Sequence, residues 1–192
     1  MKLIEKLLHP SNLITLSGLI VFVIYIILLY LVKELEYWLS LILFLYGYAL
    51  ADILDGIIAR KFNYTSFFGE LFDLLVDRIK DGILAFTVLV LYPEWSVHIF
   101  IFIVFKIAPE VLWSRVLGSI DHKNKEKTNF SKIYSLFHNY YFLGFYCFIK
   151  TIFFMMILLN QPYNFIGYIF IGLILLRSLS ILEFLNFIAK KN

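Results

Sequence analysis

The sequence predicts an all-α integral membrane protein, a six-transmembrane-helix bundle with a short N-terminal surface helix. Three observations carry that expectation. The 192 residues are 61% hydrophobic and only 16% charged, whereas a soluble domain is nearer half apolar and about a quarter charged. The apolar residues gather in long runs, and a membrane span needs roughly 20 of them. No β-alternation or internal repeat interrupts the pattern.

The expected spans are residues 13–32, 38–58, 68–92, 95–117, 134–159 and 163–188. The first is long enough to cross, and no small-residue cleavage site follows it, so it reads as a span rather than a signal peptide. The third is the least hydrophobic. It carries Glu70, Asp73, Asp77, Arg78, Lys80 and Asp81, and hydropathy alone argues against it. Short turns at 91–94 and 160–162, each with a proline, separate the third span from the fourth and the fifth from the sixth. Residues 1–8 place apolar side chains at helical spacing beside Lys2 and Lys6, a pattern for a helix on the membrane surface that Pro10 stops. The whole chain, 1–192, reads as one domain.

The basic residues orient the bundle. Lys2, Lys6, Arg60, Lys61, Lys123, Lys125, Lys127, Lys132, Lys190 and Lys191 fall on one side, against Lys33 and Lys150 on the other. The positive-inside rule makes the first side, with both termini, cytoplasmic in a multi-pass cell-membrane protein. The net charge of +3 is small and dispersed along span ends, so nucleic acid is not an expected partner. The single cysteine, Cys147, has no disulfide partner and reads as packing. Trp38 and Trp95 fit an aromatic belt, and His9, His98, His122 and His138 are too scattered for metal ligation.

The informative stretch is 52–77. Asp52, Asp55, Gly56 and Ala59 stand at i, i+3, i+4 and i+7, one helix face. Gly69, Asp73 and Asp77 stand at i, i+4 and i+8, again one face. Each aspartate at the centre of a membrane helix costs about 2.5–3.5 kcal/mol, so four cost on the order of 10 kcal/mol. Arg60, Arg78 and Lys80 read as too few and differently phased to compensate. Bound cations answer the problem, since clustered carboxylates are hard oxygen ligands suited to magnesium, manganese or calcium. Four suffice for two ions. Gly56, Ala59 and Gly69 leave room beside them, and a pyrophosphate is a natural occupant of that room.

The run Asp52-x-x-Asp55-Gly56-x-x-Ala59-Arg60, then eight residues, then Gly69-x-x-x-Asp73-x-x-x-Asp77, resembles the signature of the CDP-alcohol phosphotransferases, with every position filled. The resemblance implies metal coordination by Asp52, Asp55 and Asp73, with Asp77 at a second Mg2+ or Mn2+ ion and serving as the general base. Gly56 and Ala59 would line the cytidine nucleotide site, Arg60 would sit by its phosphates, and Gly69 would lie opposite. The opening Pro10-x-Asn12-x-x-Thr15 is similar to that of many members, where it lies near the nucleotide. Its alternative reading is a helix N-cap at Ser11 or Asn12. The implied reaction moves a substituted phosphate from a CDP-alcohol, usually CDP-diacylglycerol, to an acceptor alcohol and releases CMP. The family resemblance also implies a homodimer.

The loop 124–128 is similar to the Gly-Lys-x-Lys-Thr segment of phosphatidylglycerophosphate synthases, with Asn124 at the glycine and Ser131 where a glutamine is usual. Glycerol 3-phosphate is therefore the first expected acceptor, ahead of inositol phosphate and serine. Arg115, Lys125, Lys127 and Arg177 are the candidates for holding its phosphate, because arginine binds two oxygens at once. Lys106 with Glu110 reads as a helix pair, and Asp81 as a partner of Arg78 or Lys80. An intramembrane cation transporter is the alternative of another class. The clustering of the carboxylates at one membrane face argues against it.

Overall fold

The computed structural model describes residues 9–32, 35–62, 66–107, 140–159 and 164–189. Every regular element among them is helical. Helix α1 spans Pro10–Leu31 and α2 spans Tyr37–Lys61, with a π-helical turn at Tyr46–Leu50. Helix α3 spans Phe67–Leu91. A 3-10 turn, Pro93–Trp95, leads into α4, Ser96–Phe102, which a second π turn, Ile103–Ile107, extends. Helices α5, Tyr140–Leu158, and α6, Asn164–Ala189, complete the order. Two of these, α1 and α2, are long and apolar enough to cross a membrane, and Phe68–Leu91 with Pro93–Phe105 makes a third if the broken pair is one span. The apolar stretches of α5 and α6, Gly144–Leu158 and Phe165–Leu179, are shorter than those spans. The expected surface helix at 1–8 lies outside the described residues.

The chain divides into two compact units, Met1–Thr87 with Leu158–Asn160, and Val88–Ile157 with Gln161–Asn192. In the first, α1 and α2 approach closely because small residues face each other. A Cβ on Gly18 would collide with the Ala51 side chain, and one on Gly47 would lie 2.7 Å from the Phe22 backbone nitrogen. Such close contact is how helices pack where lipid gives no hydrophobic drive between them. Around it Phe22, Tyr25, Phe44 and Tyr48 are buried. Phe44 stacks on Tyr48 at 5.2 Å, and the Tyr25 hydroxyl bonds Ser40 Oγ at 3.0 Å.

The exposure pattern of α1 departs from that of a soluble helix. On α1 the outward stripe is Leu13, Leu16, Ile20, Ile24, Ile27 and Leu31, whereas Ser11, Asn12 and Thr15 are buried. Outward leucine and isoleucine with inward polar groups is the arrangement lipid favours, because polar groups there must find partners inside the protein.

In the second unit Ile99, Phe102, Tyr146, Phe153, Phe154, Phe170 and Ile174 form the core. Phe153 stacks on Phe170 at 4.6 Å, and Phe102 meets Phe154 edge-on at 5.1 Å. Trp95 belongs to this core rather than to an interfacial belt. It is 6% exposed and packs edge-on against Phe153 and His98, whereas Trp38 is 65% exposed. His98 lies on α4 within that aromatic cluster. Cys147, expected to pack, is exposed on α5.

Candidate active site

Three helices of the first unit build the site. After its π turn, α2 carries Asp52, Asp55, Gly56, Ala59 and Arg60 in one regular stretch, Ala51–Lys61. The π turn adds a residue just ahead of Asp52, and one residue rotates a helix by about 100°. The apolar face before the turn and the acidic face after it can therefore both point inward. Just ahead of α3, Ser66 accepts a hydrogen bond at its Oγ from the Gly69 backbone nitrogen at 3.0 Å. That capping starts the helix where Gly69 and Asp73 follow. Helix α1 begins at Pro10 with His9 as its N-cap residue. Ser11 and Asn12 are thus first-turn residues, not caps, and both are buried.

These helices bring Asp52, Asp55 and Asp73 together, one carboxylate oxygen from each lying within 4.8 Å of the others. Oxygens that close can share one divalent ion, because two ligands of the same ion lie at most about twice its ~2.0–2.6 Å bond length apart. Asp73 Oδ1 is buried with no hydrogen-bond partner. Such an oxygen is costly to leave unpaired, and it fits a cation ligand. Asp77 is not one of these three, but its charge acts on all of them and its side chain is within hydrogen-bonding reach of Asp52.

Beside the carboxylates lies a cavity of ≈ 200 Å³. Ser11, Asn12 and Thr15 line it from α1, Asp55, Gly56, Ala59 and Arg60 from α2, and Ser66, Gly69, Glu70 and Asp73 from the α3 side. All six residues expected at the nucleotide are thus gathered around one space. Arg60 folds its guanidinium back over Gly56, where a Cβ would meet Nη1 at 3.4 Å. Thr15 also bonds the site directly, donating its hydroxyl to Asp55 Oδ2.

Sequence reasoning missed Lys80. Its spacing reads as out of phase, yet it is 1% exposed and its Nζ donates to Asp52 Oδ1 at 2.5 Å. A step of seven residues from Asp73 returns to nearly the same face, which was the signal available. Ser11, Ser66 and Glu70 were missed as well. Asp81 pairs with Arg78 at 3.2 Å, as one of its readings had it, and also accepts a bond from the Tyr48 hydroxyl at 2.6 Å. Of the expected acceptor residues, Arg115, Lys125 and Lys127 lie outside the described residues. Arg177, in the second unit, places its guanidinium over the Tyr146 ring at 4.7 Å.

The sequence model of the family described as CDP-alcohol phosphatidyltransferase matches residues 8–176. The chain belongs to that family. It is similar to the CDP-diacylglycerol--inositol 3-phosphatidyltransferase of Candida albicans, 33% identical over 113 residues, which cover 57% of this chain and 49% of that one. It also resembles the CDP-diacylglycerol--glycerol-3-phosphate 3-phosphatidyltransferases of Rickettsia typhi and Rickettsia prowazekii. Each is 32% identical over 78 residues, 41% of this chain and 43% and 42% of theirs. The chain spans about half the length, or less, of these curated relatives. No solved structure matches it.

Proposed function

We propose that this CDP-alcohol phosphatidyltransferase transfers a phosphatidyl group from CDP-diacylglycerol to an acceptor alcohol, glycerol 3-phosphate first, with inositol phosphate or serine as the alternatives, and releases CMP, in phospholipid biosynthesis. The observation that carries this is the convergence of Asp52, Asp55 and Asp73 beside a cavity lined by Asn12, Gly56, Ala59, Arg60 and Gly69. Two Mg2+ or Mn2+ ions held by the aspartates would neutralise the charge that develops on the pyrophosphate oxygens. Arg60 sits by the nucleotide phosphates, and the small side chains at Gly56, Ala59 and Gly69 admit the nucleotide. Thr15, lining the same cavity, also holds Asp55 in place. Asp77 takes the proton from the acceptor hydroxyl. The acceptor oxygen then bonds to the β-phosphorus as the bond from that phosphorus to CMP breaks, with no covalent enzyme intermediate. The electrostatic reach of Asp77 to all three aspartates supports its double role, at the second ion and as the base.

The chain-long reading is one domain of six spans in the cell membrane, dimeric, with the site open to the cytoplasm and to lipid. The outward leucine and isoleucine surface of α1 supports the membrane placement, and the remaining features rest on the sequence. Arg115, Lys125, Lys127 and Arg177 remain, from the sequence, the residues assigned to the acceptor. Glycerol 3-phosphate is the acceptor the lysine loop favours, and inositol is the one named for the Candida albicans relative.

The deciding experiment gives purified protein CDP-diacylglycerol with each of glycerol 3-phosphate, inositol, inositol phosphate and serine, and identifies the lipid product by mass. One new phospholipid with equimolar CMP supports the proposal. Metal flux through liposomes without CMP from any acceptor would replace it with transport.

A further inference from the structure

A lysine is rarely buried without a partner, because removing an ammonium from water is expensive unless a counter-charge meets it. Lys80 is 1% exposed. Its Nζ lies 2.5 Å from Asp52 Oδ1, and a Cβ on Gly18 would stand 3.6 Å from it, so the ammonium sits where α1, α2 and α3 meet. Asp52 is also one of the three carboxylates whose oxygens approach within 4.8 Å. The same carboxylate is therefore claimed by a fixed cation and by the cluster that fits a divalent one. We propose that Lys80 is a built-in counter-ion of the aspartate cluster, and that a divalent ion binds by displacing its ammonium from Asp52. The inference rests on the metal-dependent reading above and deepens it.

Two consequences follow from the charges. Lys80 stabilises the metal-free cluster, since without it the carboxylates would repel one another across a desolvated space. It also opposes metal, because an ammonium beside the ion repels it and must give up a short bond. The apparent metal affinity of the cluster is lower than four carboxylates alone would give.

The test measures Mn2+ binding by electron paramagnetic resonance on the purified full chain and on K80M, which keeps the length of the side chain and removes its charge. At least tenfold tighter binding in K80M is expected, together with a lower Tm without metal and a larger Mn2+-induced rise in Tm. Unchanged or weaker binding in a folded K80M would overturn the inference while leaving the metal reading intact. Absence of Mn2+ binding in both proteins would sink the two together. A second measurement needs no variant. In wild-type protein labelled with 15N at lysine Nζ, the protected ammonium signal should shift and begin exchanging with water on adding Mg2+. A signal indifferent to Mg2+ would contradict displacement.

Discussion

Replacing Thr15 with valine keeps the shape of the side chain and removes one hydroxyl. That hydroxyl donates to Asp55 Oδ2, both groups are nearly fully buried, and it reaches the Ser11 carbonyl at 3.2 Å as well. A hydrogen bond to a charged group contributes about 1.5–3 kcal/mol, and 1.36 kcal/mol is a factor of about ten. If that bond serves to aim Asp55 at a metal ion, its loss weakens metal binding by roughly 10- to 100-fold, the range found when partners of metal ligands are removed. The assay follows CMP release against Mg2+ concentration at saturating CDP-diacylglycerol. Thr15→Val should shift the metal dependence to higher concentration by that factor and recover most of the maximal rate when metal saturates. Its KM for CDP-diacylglycerol, measured at saturating metal, should stay within about twofold of wild type. An unchanged metal dependence with a raised KM would refute the reasoning and assign Thr15 to the nucleotide alone.

Asp77→Asn should retain nucleotide binding, measured by equilibrium dialysis of CDP, and lose turnover by at least 100-fold, the lower range for removing a general base. Gly47→Ala forces a methyl against the Phe22 backbone and should cost about 1–3 kcal/mol, seen as a lower Tm in detergent. Gly82→Ala, on α3, meets no atom within 4 Å and should be neutral or stabilising by up to about 1 kcal/mol, which makes it the control for that experiment. Tyr146→Leu removes the ring under Arg177 and should destabilise the second unit by about 0.5–2 kcal/mol beyond the loss of packing, read from a double-mutant cycle with Arg177→Met.

The site was largely legible because its groups repeat at helical spacing. Asp52 with Asp55, and Asp73 with Asp77, declared their faces from position alone. The glycines and Ala59 declared the room beside them, and the cavity lies there. The contact of Thr15 with Asp55 was not legible, since it joins residues 40 positions apart and depends on how α1 crosses α2. That crossing is set by Gly18 and Gly47, whose spacing says they are small but not what they touch. The π turn at Tyr46–Leu50 was equally hidden, because a single added residue leaves no mark in composition. Lys80 was misjudged for a different reason. A charge on a long side chain need not sit at the spacing of the aspartates, and one heptad along from Asp73 it reaches Asp52. Trp95 and Cys147 show the limit of reading burial from hydropathy in a membrane chain, where both the core and the lipid-facing surface are apolar.

Metal dependence of CMP release tests the central claim most directly. Purified protein is stripped with a chelator, assayed with CDP-diacylglycerol and an accepted alcohol, and then titrated with Mg2+ or Mn2+. CMP release should vanish on stripping, return with either ion, and fail to return in Asp73→Ala. Undiminished CMP release from fully stripped protein would contradict the account.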